Sequence, residues 1–163
     1  MNPRGPNLRL SLVLPSLHVF GGAERVLSRL ANHWSRAGWL VEMVTFDDGS
    51  EPPAFPLDPA IRRRALNVGG DTHSVAQAIV SNWRIWTSLR LALRENRPDA
   101  VISFLSRTNA RTLLASLGTG IPIVVSDRMD PVSFDEPNRS GGWFAACSIP
   151  WPRGSSYRRI HKP

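Results

Sequence analysis

Three observations predict a Rossmann-like α/β fold, a mostly parallel sheet with helices on both faces. Short apolar, β-rich runs alternate with segments of helical spacing in the order β-α-β-β-α-β-α-β, the pattern of right-handed crossovers. The first strand passes through a Gly21-Gly22 step directly into the first helix. The chain of 163 residues, 42% apolar, is long enough for a real core and carries no apolar run of membrane-spanning length.

Each element has its own signal. Leu8 to Leu14 reads as a buried strand stopped by Pro15. Helical spacing over Glu24 to Ala37 places Val26, Leu27, Leu30, Ala31 and Trp34 on one face, and Gly38 stands where a C-terminal cap belongs. Val41 to Phe46 is a second strand, turned by Asp47-Asp48-Gly49 into a connection with four prolines, at 52, 53, 56 and 59. Arg62 to Val68 is a third strand. Ser74 is placed to cap a long helix to about Asn96, with Val75, Ile79, Trp83, Trp86, Leu89 and Leu93 as its inward stripe. Pro98 breaks that helix, and Ala100 to Phe104 forms a fourth strand. A short helix over Asn109 to Leu117, with Leu113, Leu114 and Leu117 inward, leads to a fifth strand, Ile121 to Ser126.

Ligands of such sheets bind beyond the carboxyl ends of the strands, here residues 15–23, 47–49, 105–109 and 127–131. The Gly-Gly turn brings bare backbone N–H groups and the positive end of a helix dipole to one point of that edge, which attracts phosphate. Glycine there admits an anion close to the backbone and tolerates positive φ; a tight strand-to-helix turn would need it for the second reason alone.

The string Gly21-Gly22-Ala23-Glu24-Arg25-Val26 does not stand by itself. With Leu30-Ala31-Asn32, Gly38-Trp39-Leu40-Val41, Asp99 to Phe104, Thr108-Asn109 and Ile121-Pro122-Ile123-Val124-Val125-Ser126-Asp127-Arg128, it resembles the N-terminal domain of the family 4, retaining GT-B glycosyltransferases. The resemblance runs from about Leu8 to Pro131. It implies transfer of a sugar from a nucleotide-sugar to a glycan or lipid-linked acceptor, without a bound metal or other cofactor. The family's donor-side Glu-x7-Glu motif is absent, since no two of the glutamates 24, 42, 51, 95 and 136 have that spacing. The chain is therefore expected to hold the acceptor-side half of a transferase in residues 1–132, with 133–163 an irregular basic tail, disordered or frameshifted. The alternative is a non-catalytic acceptor- or membrane-binding module.

Candidate residues follow from the edge and the resemblance together. Gly21, Gly22, Glu24 and Arg25 are candidates for the donor or its phosphates. Glu24 also suits a helix start whatever the function, and Arg25 could equally be an ordinary surface residue. His18, Thr108, Asn109, Asp127 and Arg128 are candidates for the acceptor. A loop histidine is often merely solvated, Thr and Asn can cap a helix, and an Asp-Arg pair can simply close a loop. Asp127 stands where the family usually has Glu. No catalytic residue is assigned.

Composition bounds the partners. The net charge of +7 implies attraction to acidic partners, and with no nucleic-acid-binding motif the anionic inner face of a membrane is the preferred surface. A single cysteine, Cys147, rules out an internal disulfide and fits a reducing cytoplasm.

Overall fold

In a computed structural model, the structure describes residues 8–69 and 75–126, with side chains from residue 79 onward in the second segment. The strands are β1 (Arg9–Leu14), β2 (Leu40–Thr45), β3 (Arg62–Ala65), β4 (Ala100–Phe104) and β5 (Ile123–Ser126). The helices are α1 (Gly22–Arg36), α2 (Val75–Asn96) and α3 (Ser106–Ser116). The five strands form one sheet in the order β3-β2-β1-β4-β5, and every pairing is parallel. The predicted Rossmann-like arrangement is thus the observed one.

Period-two alternation assigns the core. Leu12 and Leu14 of β1 and Val41 and Met43 of β2 face α1, where they meet Ala23, Leu27 and Ala31. Val13, Val44 and Val101 point the other way, to Ile85, Leu89 and Leu93 of α2 and Ala115 of α3. Helices therefore cover both faces, and the central strand is buried on each side, its one buried polar side chain, Ser11, accepting from Asn96 Nδ2 at 2.9 Å.

Local signals explain the ends of α1. Gly38 has φ of 84° just after the C-cap residue Ala37. Its N–H donates to the Ser35 carbonyl at 2.9 Å, and the Trp39 N–H donates to the Trp34 carbonyl at 3.0 Å. These are the two bonds of a Schellman cap. The apolar contact that accompanies such a cap is the stacking of Trp34 on Trp39, with ring centroids 5.9 Å apart. Asn32, one turn earlier, fixes the proline-rich connection: its Nδ2 donates to the Pro56 carbonyl at 2.9 Å and its Oδ1 accepts from the Asp58 N–H at 2.7 Å.

Two stripes depart from expectation. On α2, Ile79 and Trp83 are 67% and 64% exposed, and the buried face runs instead through Ile85, Leu89, Ala92 and Leu93. Trp86 is half-buried, and its Nε1 donates to the Leu114 carbonyl at the end of α3. On α3, Leu114 and Leu117 are exposed, while Thr108, Asn109, Thr112, Ala115 and Ser116 turn inward. The physical reason is space: α3 lies close to the sheet, where small and polar residues fit and leucines do not. β3 is shorter than the expected Arg62 to Val68, and β5 begins at Ile123 rather than Ile121. The expected cap at Ser74 lies outside the described residues, as do the side chain of Val75 and the segment 133–163.

Replacing Gly38 by Ala should destabilise the domain by about 1–2 kcal/mol, the cost of a Cβ in the left-handed region. Urea unfolding should show a lower midpoint with an unchanged slope.

Candidate functional site

Because all strands run the same way, their carboxyl ends share one edge, and the loops after β1, β2 and β4 meet there. The loop after β1, Pro15 to Gly21, is tied to its neighbours over its first three residues: the Pro15 carbonyl accepts from the Phe46 N–H and the Leu17 carbonyl from the Ala54 N–H. Beyond Leu17 the loop turns outward, with His18, Val19 and Phe20 exposed. Phe20 is 82% exposed and meets Phe55 edge-on at 5.7 Å.

The Gly-Gly step differs from expectation in one respect. Neither Gly21 nor Gly22 has positive φ; Gly21 is the extended N-cap of α1 and Gly22 its first helical residue. At Gly21 alone it is space that disfavours a side chain. A Cβ on Gly21 would collide with the carboxylate of Glu24, which folds back over the start of the helix. A Cβ on Gly22 would meet no protein atom within 4 Å. Gly22 therefore presents bare backbone to open solvent at the positive end of a 15-residue helix, which gives an anion a place to approach. Glu24 is buried, while Arg25 is exposed one position on.

His18 is brought to the end of β2. Its Nδ1 lies 3.5 Å from Asp47 Oδ2, an ion pair when the imidazole is protonated. Asp47 is in turn held by the Thr45 hydroxyl, which donates to its Oδ1 at 2.6 Å. Beside it Asp48 accepts from both the N–H and the hydroxyl of Ser50, which hold its carboxyl below the usual carboxylate range. A cavity of about 350 Å³ opens here, lined by Leu17, Thr45, Asp47, Asp48, Glu51 and Arg63 among others. The sequence puts Asp47 and His18 on the same edge, but nothing in it pairs the two side chains.

At the end of β4 the chain is strained. Leu105 has φ of 74° and ψ of 134°, a conformation unfavourable for a branched side chain, and it is the N-cap of α3. Bonds on both sides impose it: its N–H donates to the Ser126 carbonyl at 3.2 Å and its carbonyl accepts from the Asn109 N–H at 2.8 Å. The helix consequently starts at Ser106, three residues before the expected Asn109. Asn109 is then an interior residue, not a cap. Its Oδ1 accepts from the Ser103 hydroxyl at 2.7 Å and its Nδ2 donates to the Ser126 carbonyl at 3.0 Å, joining β4 to β5. Thr108 is buried too. Asp127 and Arg128 lie outside the described residues.

The sequence-predicted residues thus divide. Gly22, Arg25 and His18 face solvent along the edge; Glu24, Thr108 and Asn109 are buried beneath it. Among the described residues no group of three or more His, Cys, Asp or Glu side chains could hold a metal ion.

Comparison with known proteins gives this edge its context. A family model described as "Glycosyl transferase 4-like domain" matches residues 21–161. One curated relative is the GalNAc-alpha-(1->4)-GalNAc-alpha-(1->3)-diNAcBac-PP-undecaprenol alpha-1,4-N-acetyl-D-galactosaminyltransferase of Campylobacter jejuni, 30% identical over 74% of this chain and 32% of its own length. Another is the UDP-N-acetylglucosamine--N-acetylmuramyl-(pentapeptide) pyrophosphoryl-undecaprenol N-acetylglucosamine transferase of Sinorhizobium medicae, 30% identical over 61% of this chain and 27% of that protein. The chain spans about a third of the length of these relatives. Among solved structures, sucrose-phosphate synthase from Thermosynechococcus elongatus superposes with a TM-score of 0.54 at 14% identity, over 74% of this chain and 32% of that one, a likeness of fold.

Asn109→Ala should cost about 2 kcal/mol or more, because it strands the buried Ser103 hydroxyl and leaves the Ser126 carbonyl with the Leu105 N–H alone. Amide exchange should quicken in β5 before it does in β1.

Proposed function

The chain belongs to the glycosyl transferase 4-like family, and from that premise we propose that it serves transfer of a sugar from a nucleotide-sugar to a glycan or lipid-linked acceptor. The family match over residues 21–161 carries this reading. In it, the described domain is the acceptor-side lobe and the carboxyl edge of its sheet is one wall of the cleft. The two curated relatives are named for acceptors joined to undecaprenol through a diphosphate. An acceptor of that chemistry, a glycan on a lipid diphosphate, is proposed here as well.

The residues of the edge take roles accordingly. Gly22 lets a phosphate reach the first N–H groups of α1, and Arg25 adds a guanidinium one turn on. His18, oriented by Asp47, is placed to bond an acceptor hydroxyl through the nitrogen that does not face the carboxylate. Asn109 acts from beneath, its amide joining the ends of β4 and β5, with Thr108 buried next to it in sequence; Asp127 and Arg128, which follow β5 in sequence, keep their proposed acceptor role. Reaction takes place at the donor and acceptor themselves, so no cofactor is invoked.

A lipid-linked acceptor requires the protein to work at a membrane surface. Among the described residues no helix is long and apolar enough to cross one. Peripheral contact, on the cytoplasmic face, is proposed instead. Support comes from the outer face of α2, where Ile79, Val80, Trp83 and Leu91 are exposed and interleaved with exposed Arg84 and Arg94. Apolar anchors among cations suit an interface with anionic lipid.

Two measurements test these assignments. Gly22→Ala should keep or raise stability, by about 0.4–1 kcal/mol, because the position is helical and unobstructed. It should also weaken uridine diphosphate binding at least tenfold, because the added methyl stands where the phosphate approaches and holds it off a charge-assisted hydrogen bond of about 1.5–3 kcal/mol. Unchanged affinity in titration calorimetry would remove the phosphate role of this turn. Co-sedimentation with anionic vesicles should fall with salt and fall further in Trp83→Ala; adsorption indifferent to lipid charge and ionic strength would contradict membrane contact.

A further inference from the structure

Two groups of exposed apolar side chains stand at the same end of the domain, on opposite faces of the sheet. Parallel strands send each following helix back from their carboxyl edge, so the helices begin there. α3 starts at the end of β4, and α2 runs beside it in the same direction, since Asn82, Trp86 and Arg90 meet Arg111, Leu114 and Leu117 in ascending order. The exposed Ile79, Val80 and Trp83 therefore stand at the carboxyl end, on the α2 face. Val19 and Phe20 stand at that end on the other face, where the loop after β1 enters α1.

The second group is held in place. The Leu17 carbonyl accepts from the Ala54 N–H at 2.8 Å, and Asn32 fixes the backbone at Pro56 and Asp58. Phe55, carried between these bonds, meets the Phe20 ring at 5.7 Å. A phenyl ring 82% exposed on a loop braced in this way gains little from the domain's own core. Single exposed apolar residues are ordinary, whereas a contiguous group such as Val19, Phe20, Phe55 and Pro56 marks a contact surface.

The same end carries cations. Arg25 near the start of α1, Arg84 beside Trp83 and Arg107 at the start of α3 are exposed, and none forms a salt bridge among the described residues. The exposed carboxylates of this end, Asp48 and Glu51, both belong to the corner after β2. Rings that project from two separate faces suit a fluid surface that yields to each of them. The flanking cations require that surface to be anionic.

We infer that the domain stands on an anionic lipid surface by its carboxyl edge, with Phe20 and Trp83 as anchors on opposite sides of that edge. The inference rests on the membrane contact proposed above and gives it an orientation and a second anchor. Anchors of this kind reach about 5–10 Å into the interface. Leu91 lies eight residues beyond Trp83, about 12 Å further along the helix, and stays above it. Leu40, exposed at the opposite end of the strands, stays in water. The start of α1 is thereby held near the depth of the lipid phosphates.

The experiment places an environment-sensitive fluorophore on single cysteines of the full chain, with the native thiol removed as Cys147→Ser. The labelled variants are Phe20→Cys, Trp83→Cys, Leu91→Cys and Leu40→Cys, and the vesicles are equal parts phosphatidylglycerol and phosphatidylcholine. Labels at 20 and 83 should shift to the blue when vesicles are added, while those at 91 and 40 should not. Phe20→Ser should weaken vesicle partition about tenfold, the loss of one inserted aromatic side chain. Its melting temperature should stay that of the native chain, because the ring is exposed in the free protein. A shift at only one of 20 and 83, or a shift at 91, overturns the edge-down orientation and leaves membrane contact itself standing. A shift at 40 equal to that at 20 overturns it as adsorption without orientation. No shift anywhere and no co-sedimentation overturn both readings. A label at 20 that turns blue without vesicles, in step with protein concentration, assigns this tip to a second copy and overturns the inference as well.

Discussion

Everything at the carboxyl edge depends on β1 being held on both sides. Arg9 to Leu14 pair with Leu40 to Thr45 on one flank, and Leu10 to Val13 pair with Ala100 to Ser103 on the other. Both faces of the strand are covered, by apolar contacts and, at Ser11, by a hydrogen bond from the Asn96 amide. A parallel strand bonded on two sides can neither slip by one residue, which would reverse its faces, nor move along its axis without breaking two ladders. The loops that follow β1, β2 and β4 are therefore fixed in height relative to one another. His18 reaches Asp47 for that reason, and Gly22 starts its helix beside them rather than elsewhere.

Much of this was legible in the sequence because it rests on period and punctuation. Apolar runs of strand length, the Gly-Gly step, Gly38 and Pro98 mark elements whose bounds then shifted by only a few residues in the structure. Less legible was the direction in which polar residues point. Asn32, Thr108 and Asn109 all sit in strings that resemble the family's, yet Asn32 pins a loop and Asn109 staples two strands. Resemblance identifies positions that matter without distinguishing a residue that touches a ligand from one that aims its neighbours. Helical stripes failed in a similar way. Trp83 belongs to one expected stripe with Leu89 and Leu93, but among residues 79–96 the covered face runs through Ile85, Leu89, Ala92 and Leu93, and only contact with α3 and the sheet decides that.

Buried polar groups show where the fold accepts a cost. Glu42 lies inside β2, almost fully buried, and burial pushes its carboxyl pKa up even though the Arg64 and Arg62 guanidiniums lie 3.1 and 3.4 Å away. The arrangement has a structural use. β3 is an edge strand whose free side could pair with another chain, and Arg62, Arg63 and Arg64 line it with charge that discourages such pairing. Arg64 is anchored in turn by Glu95 at 2.7 Å. One arginine cluster is thus accounted for by the sheet itself.

That accounting sharpens what the surplus of positive charge means. Arg90 donates to the carbonyls of Ala115 and Leu117, satisfying the end of α3. Arg111 lies over the ring of Phe46, its centre 5.7 Å away, and bonds Asn82. Arg62, Arg64, Arg90 and Arg111 therefore have work within the domain. Arg25, Arg29, Arg84 and Arg94 are instead drawn up on two outer helix faces, α1 beside the strand edge and α2 among exposed apolar side chains. A net charge read from composition cannot separate these groups. Among the described residues, Arg25 and Arg29 on α1 and Arg84 and Arg94 on α2 form two such exposed pairs, the first beside the strand edge proposed for phosphate and the second among the apolar side chains proposed for lipid.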